Sequence, residues 1–206
     1  MSTQTLAPGD LLAAMAGGDQ RALDALYRGW SRKVRVFAHA TLLHCGLDAA
    51  AIADEVVVDV FHDLWQDPLR YDGRVAFATW LLTLTRNKTV DQIRRHGKRQ
   101  ALEEPYDEDA ERALDADART DTAPDPQTLR EQAQRRAAVL RCLQRLRNPF
   151  QRESLTLWAL EELSVLDIAR IQDVPEGTVK TRLFHGRLNL RQCIERWFVQ
   201  EGSGHG

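Results

Sequence analysis

Residues 164–191 read SVLDIARIQDVPEGTVKTRLFHGRLNLR, and the order of signals along this stretch decides the fold. Ser164 has the chemistry of a helix N-cap, because a short hydroxyl can accept from an orphan backbone N–H of the first turn. Val165, Ile168, Ala169 and Ile171 then recur at the spacing of one helical face. A turn follows at Gln172 and Asp173, and Pro175 suits the first turn of the next helix, where no N–H is needed. In that last helix Val179, Leu183 and Leu190 fall at i, i+4 and i+11 and face a core. Thr178, Lys180, Thr181, Arg182, His185 and Arg187 are left for the outer surface and its flanks. Two short helices joined by a tight turn, the second with a polar basic face, make a helix-turn-helix, the arrangement that lays a helix in the major groove of DNA. An ordinary helical hairpin is the competing reading; the coincidence of turn, proline and face segregation argues against it.

Immediately upstream, Leu140, Leu143 and Leu146 lie at i, i+3 and i+6, and Asn148-Pro149 closes that helix. Another runs over 151–162 with Leu155, Leu157, Trp158 and Leu160. Helical periodicity also fills the N-terminal part. Residues 10–43 carry it with one break at Gly17-Gly18, and a helix over 48–66 buries Ile52, Val56, Val57, Val60, Phe61, Leu64 and Trp65. Asp54, Glu55, Asp59, His62 and Asp63 stay outside, and Asp67-Pro68 ends this helix. A loop at 69–74 holds the turn former Tyr71-Asp72-Gly73, and a further helix covers 76–95 with Phe77, Trp80, Leu81, Leu84, Val90 and Ile93 inside.

The net charge of −2 conceals a segregation: residues 1–100 carry +2, residues 101–126 carry −8 and residues 127–206 carry +4. The acidic block, with Pro105, Pro124 and Pro126 and few large apolar residues, cannot bury enough surface to offset its ordering entropy. The fold class expected is therefore all-α: two small helical domains at 10–100 and 135–199, joined by an acidic flexible linker at 101–134. The longest stretch free of Asp, Glu, Lys and Arg is the twelve residues 36–47, too short for a membrane span of about 20 residues. The start, MSTQTLAPGD, has neither a basic nor an apolar signal region, so a cytoplasmic location is expected. Cys45, Cys142 and Cys193 form no CxxC pair and read as reduced thiols.

The helix over 76–95 ends in a basic run: Arg86, Lys88, Arg94, Arg95, Lys98 and Arg99 stand against Asp91 alone. Such a run can neutralise phosphates, or merely complement a helix dipole. Asn87 lies seven positions after Trp80 on the same face, so an amide able to read a base edge sits beside an aromatic able to support an unstacked base.

The strings DEVVVDVFHDLW and FATWLLTLTRNKTVDQIRR resemble the second region of bacterial RNA polymerase sigma factors of the extracytoplasmic-function type. DIARIQDVPEGTVKTRLFHGRLNLR resembles their fourth region. The resemblance implies a promoter-specificity factor that binds core RNA polymerase, recognises minus-ten and minus-thirty-five promoter elements and directs initiation. By it, Asp54, Glu55, Asp59 and Asp63 dock on the clamp helices of the largest polymerase subunit. Tyr71, Trp80, Arg86, Asn87, Lys88, Arg94 and Arg95 serve the minus-ten element, whose flipped base the 69–74 loop holds. Lys180, Thr181, Phe184 and His185 enter the minus-thirty-five major groove, while Gly177, Thr178, Arg182 and Arg187 stand near phosphates. The linker threads the polymerase cleft, and an anti-sigma factor is an implied partner. Three departures are visible: Val58 where a polar residue is usual, Asp173 where the turn glycine is usual, and Phe184-His185-Gly186 in place of a more arginine-rich ending.

Other chemistries fare worse. The carboxylates around His62 lack the second Glu-x-x-His motif that a di-metal bundle needs, so no metal or cofactor is expected. There is no phosphate-cradling glycine loop and no nucleophile motif, so no enzymatic activity is expected. The alternative from another class is a regulator that binds duplex DNA through the C-terminal helix-turn-helix alone; a base-capturing Trp80–Asn87 surface would be useless to it.

Overall fold

The computed structural model describes the backbone of residues 7–100 and 126–202, with side chains at 7–96 and 134–198. In chain order it places α1 (Pro8–Ala16), α2 (Gln20–Leu42), α3 (Ala49–Gln66), a 3₁₀ turn (Pro68–Arg70), α4 (Phe77–Gln100), α5 (Pro126–Gln144), α6 (Pro149–Ala159), α7 (Val165–Gln172) and α8 (Glu176–Gly202). Among the described residues there is no strand, and no helix is long and apolar enough to cross a membrane. The acidic segment 103–125 lies outside the described residues.

Short polar side chains start α2, α3, α6 and α7. Asp19 accepts from the Arg21 N–H, Asp48 from those of Ala50 and Ala51, and Asn148 from those of Phe150 and Gln151. Each satisfies first-turn donors that the helix itself leaves unpaired. Ser164 accepts from the Asp167 N–H at 3.1 Å and donates to the Asp167 carboxylate at 2.5 Å, which fixes the start of α7. Asp173 ends α7 in the left-handed conformation, φ 52°, a geometry its short polar side chain tolerates where glycine is usual.

The helices form two modules. Leu12, Leu26, Val34, Val56, Val60, Leu64 and Leu81 lie at the centre of the N-terminal one, built from α1 to α4. The C-terminal one holds Leu143, Leu155, Leu157, Ile168, Ile171, Val179 and Leu183, and Phe37 of α2 and Leu82 of α4 insert into it. The modules are thus clasped. α6 lies along α2 and α8, and α7 packs on α4. At Gly186 α8 packs tightly on α6; a Cβ there would stand 2.9 Å from Leu155 Cδ1 and 3.2 Å from its Cγ.

Several expectations need correcting. Cys142 and Cys193 are bonded to each other, not reduced: they are 51 apart in sequence and so make no motif, but the packing of α5 on α8 brings their Cα atoms to 5.7 Å. Cys45 is free. Trp65 is 36% exposed rather than core, because it lies one position past Leu64 and about 100° around α3 from the buried stripe. Asn148-Pro149 starts α6 as cap and first residue as well as ending the preceding segment. α5 begins at Pro126, ahead of residue 135 where the second module was expected to start.

Candidate nucleic-acid interface

On the N-terminal module the expected minus-ten residues gather on α4 and the loop before it. The loop is an Asx turn: the Asp72 carboxylate accepts from the Arg74 N–H at 3.0 Å, and Gly73 takes φ 73°, which glycine adopts without strain. Tyr71 is pinned, its hydroxyl donating to the Val75 carbonyl at 2.7 Å and its ring lying 5.3 Å from Phe77 and 5.4 Å from Trp80. Trp80 is half-buried in this aromatic nest, while Asn87 is exposed.

The cations of α4 are differently placed. Arg94 and Arg95 are exposed, the first 3.6 Å from Asp91. Lys88 pairs with Asp63 at 2.8 Å, so that carboxylate, expected at the polymerase face, is half-buried between α3 and α4. Asp54 pairs with Arg35; Glu55 is exposed, Asp59 half-buried, and Val58 between them is 64% exposed. Arg86 turns away from solvent and pairs with Glu153 of the other module at 2.6 Å.

On the C-terminal module α8 sorts its residues by face. Val179, Leu183 and Gly186 are buried against the module; Lys180, Thr181, Phe184, His185 and Arg187 are exposed, as is Gly177, while Thr178 and Arg182 are half-buried. Lys180 reaches Glu176 at 3.6 Å, Thr181 donates to the Gly177 carbonyl at 3.0 Å, and the Phe184 and His185 rings meet edge to face at 5.3 Å. A Cβ on Gly177 would meet nothing within 4 Å, so this fold does not itself require glycine there. Two arginines expected near phosphates are engaged within the module. Arg182 donates to Gln172 Oε1 at 2.8 Å and lies 4.6 Å above the Phe150 ring, and Arg187 lies 3.9 Å above Trp158. Both remain at the rim of the exposed face.

The residues that periodicity did not single out are Arg152, Glu153 and Glu161. Arg152 is fully buried and donates to the carbonyls of Ala40 (2.7 Å), Leu146 (2.5 Å) and Leu43 (2.6 Å), so a cation caps the carbonyl end of α2. Burial pushes the Glu153 carboxyl above the usual carboxylate range even though Arg86 and Arg182 pull it down. Glu161, 2.9 Å from Lys33, is raised by burial too. Among the described residues no His, Cys, Asp or Glu group is arranged to hold a metal ion.

The sequence profile of Sigma-70 region 2 matches residues 26–99, and that of Sigma-70, region 4 matches residues 136–190. The ECF RNA polymerase sigma-E factor of Haemophilus influenzae is 30% identical over 186 residues, covering 90% of this chain and 94% of that protein. The RNA polymerase sigma-H factor of Pseudomonas aeruginosa is 29% identical over 186 residues, covering 90% and 92%. Two solved structures share the fold: the sigma factor RpoE in complex with the anti-sigma factor NepR from Bartonella quintana, and CnrH in complex with the cytosolic domain of CnrY. The first has TM-score 0.59 and 20% identity over 80% of this chain and 91% of that one. The second has TM-score 0.58 and 21% identity over 93% and 99%. The chain belongs to the extracytoplasmic-function (ECF) family of RNA polymerase sigma factors and is a promoter-specificity factor. With both regions matched, the reading as a regulator that uses only its helix-turn-helix is not favoured.

Proposed function

We propose that the two modules, 10–100 and 135–199, divide the promoter between them. Arg94, Arg95 and Lys88 of α4 approach the backbone of the minus-ten strand, joined by Arg86 once it leaves Glu153. Asn87 reads a base edge there, and Tyr71 and Trp80 wall the loop that receives an unpaired base. On α8, Lys180, Thr181, Phe184 and His185 read the minus-thirty-five major groove; Gly177, Thr178, Arg182 and Arg187 meet its phosphates. The observation that carries this reading is the face sorting of α8, with Val179, Leu183 and Gly186 inward and a polar, aromatic surface outward at the helix start. Gly177 supports it, since a glycine idle within the fold suits close approach by a phosphate.

Asp54, Glu55, Asp59 and Asp63 form the contact for the polymerase clamp helices, with the exposed Val58 adding an apolar element to it. The protein works in the cytoplasm, without catalysis of its own. Two structural neighbours are complexes with an anti-sigma factor or a cytosolic domain of a second protein, and a partner of the same kind is proposed for this chain. The test is run-off transcription with bacterial core polymerase on a pool of promoter fragments at fixed salt. Transcripts starting at defined sites only when the protein is added are expected, and they yield the promoter sequence. No transcript, and no co-elution with core polymerase, would refute the assignment.

A further inference from the structure

Each bonded cysteine carries an arginine one turn later on its own helix: Cys142-Leu143-Gln144-Arg145 on α5 and Cys193-Ile194-Glu195-Arg196 on α8. Residues three apart lie on one helix face, so the bond draws both arginines to one place. Beside it opens a cleft of about 550 Å³, lined by both cysteines, Arg145, Arg147, Arg196 and Trp197 among others. No Asp or Glu is among the described residues that line it. The three guanidiniums are exposed. Arg145 lies 6.0 Å from the Trp197 ring, and Arg196 Nε donates to the Gln192 carbonyl at 3.1 Å; neither contact neutralises a charge. The amides of Gln151 and Asn189, joined to each other at 3.0 Å, close the wall between α6 and α8.

A disulfide in the cytoplasm, where this protein is proposed to work, is usually transient and either catalytic or redox-sensing, because the thiol pools there reduce it. Exchange requires a thiolate and access to one sulfur of the bond. Access here is one-sided, since Cys193 is half-buried and Cys142 is 1% exposed. A cleft of this size takes a small molecule, and one walled by cations gathers anions and favours a thiolate over its thiol. We infer that the cleft is an exchange site for a small thiol bearing carboxylates, which Arg145, Arg147 and Arg196 hold while its sulfur attacks Cys193 Sγ. The incoming thiolate bonds to Cys193 Sγ, and the electron pair of the S–S bond leaves on Cys142 Sγ, inside the cleft it shares with Arg145, and takes a proton from solvent. A second thiolate attacks the small molecule's sulfur in this mixed disulfide, and Cys193 leaves as the thiolate. Two small thiols are thereby oxidised to one disulfide while the Cys142–Cys193 bond is reduced to two thiols; the reverse steps restore it. Only the cytoplasmic placement comes from the reading above, and the experiment on the pure chain stands or falls without it.

The test uses the full oxidised chain at low, fixed ionic strength. Release of the Cys142 and Cys193 thiols is followed by acid quench, alkylation and peptide mass spectrometry. The reductants are glutathione, which attacks as a dianion, and cysteamine, which attacks as a net-neutral zwitterion. Each rate on the wild-type chain is divided by the same thiol's rate on the triple variant Arg145→Gln, Arg147→Gln, Arg196→Gln, which cancels that thiol's own reactivity. Any effect of the arginines on the leaving sulfur, or of the substitutions on the fold, enters both quotients alike. The quotient for glutathione is expected to exceed that for cysteamine by about tenfold, the gain a like-charged cleft gives an oppositely charged ligand. Equal quotients would overturn the site, because the arginines would then act on the bond and not on the incoming molecule. Samples quenched partway should carry the glutathione adduct on Cys193, and an adduct confined to Cys142 would overturn the direction of attack. A chain whose three cysteines are all alkylated before reduction, and whose pair does not close with glutathione disulfide, would overturn the proposal outright.

Discussion

The bond between Cys142 and Cys193 closes a loop of 51 residues, and cutting it should cost the C-terminal module a large part of its stability. In the chain-entropy relation a closed loop of this length removes about 14 cal/mol/K from the unfolded ensemble, or about 4 kcal/mol at 25 °C. The perturbation is either dithiothreitol on the wild-type chain or Cys193→Ala, chosen because Cys193 is half-buried whereas Cys142 is 1% exposed. The assay is thermal unfolding followed by circular dichroism. If the module unfolds alone, a unit of under 100 residues should fall by roughly 4–8 °C per kcal/mol, hence by about 16–32 °C. If the clasp makes both modules melt together, the larger unit should fall by about half as much. Alkylation of the denatured, unreduced protein should modify one cysteine, Cys45, and after reduction all three. Three modified cysteines before reduction, or matching melting curves with and without reductant, would refute the bridge and the loop-entropy reasoning together.

Gly186→Val should destabilise the chain by about 2 kcal/mol in urea titration, because the added carbons meet Leu155 in a filled core; unchanged stability would mean α6 and α8 can separate freely there. Burial and Arg35 hold the His39 imidazole below its ordinary value of 6.5, against the pull of Asp48. The native state therefore binds that proton less readily than the unfolded chain, so this stability is present above pH 6.5 and lost as pH falls through it. The wild-type minus His39→Gln difference in unfolding free energy should shrink from pH 7 to pH 5, and a flat difference would contradict the assignment. Asn87→Ala should slow promoter opening more than it weakens duplex binding, measured by permanganate reactivity alongside filter binding; an unchanged opening rate counts against the base contact. Lys180→Ala with His185→Ala should relax minus-thirty-five discrimination by about 1–3 kcal/mol per lost base contact. Equal losses on all duplexes would make both residues phosphate contacts.

What the sequence made legible was whatever obeys a period or a local rule. Ser164, Asp173 and the α8 face sorting are local, and each is found where capping chemistry and helical spacing put it. α6 defeats the same reasoning. Periodicity looks for one apolar face, but this helix is buried on several sides with Arg152, Glu153, Ser154 and Thr156 among its hidden residues, and their partners lie as far away in sequence as Ala40 and Arg86. The hydroxyls of Ser154 and Thr156 donate to carbonyls one turn back, which is how polar residues enter such a helix without unpaired groups. The Cys142–Cys193 bond was hidden for a related reason: cysteine spacing reports local motifs, and this pair is made by the packing of α5 on α8. The expected DNA cations divided on the same line. Their helix was readable, but that Arg86 faces inward while Arg94 and Arg95 face water depends on the second module.

The polarity of α6 has a consequence for solubility. Two modules that meet through a mainly apolar seam would, on parting, expose a greasy surface prone to association with other chains. Here α6 buries a guanidinium, a carboxylate and two hydroxyls beside Leu155 and Leu157, which cluster with Phe37 of α2 and Leu82 of α4. Water rehydrates charged and hydroxyl groups readily, which offsets part of the cost of exposing the apolar ones beside them.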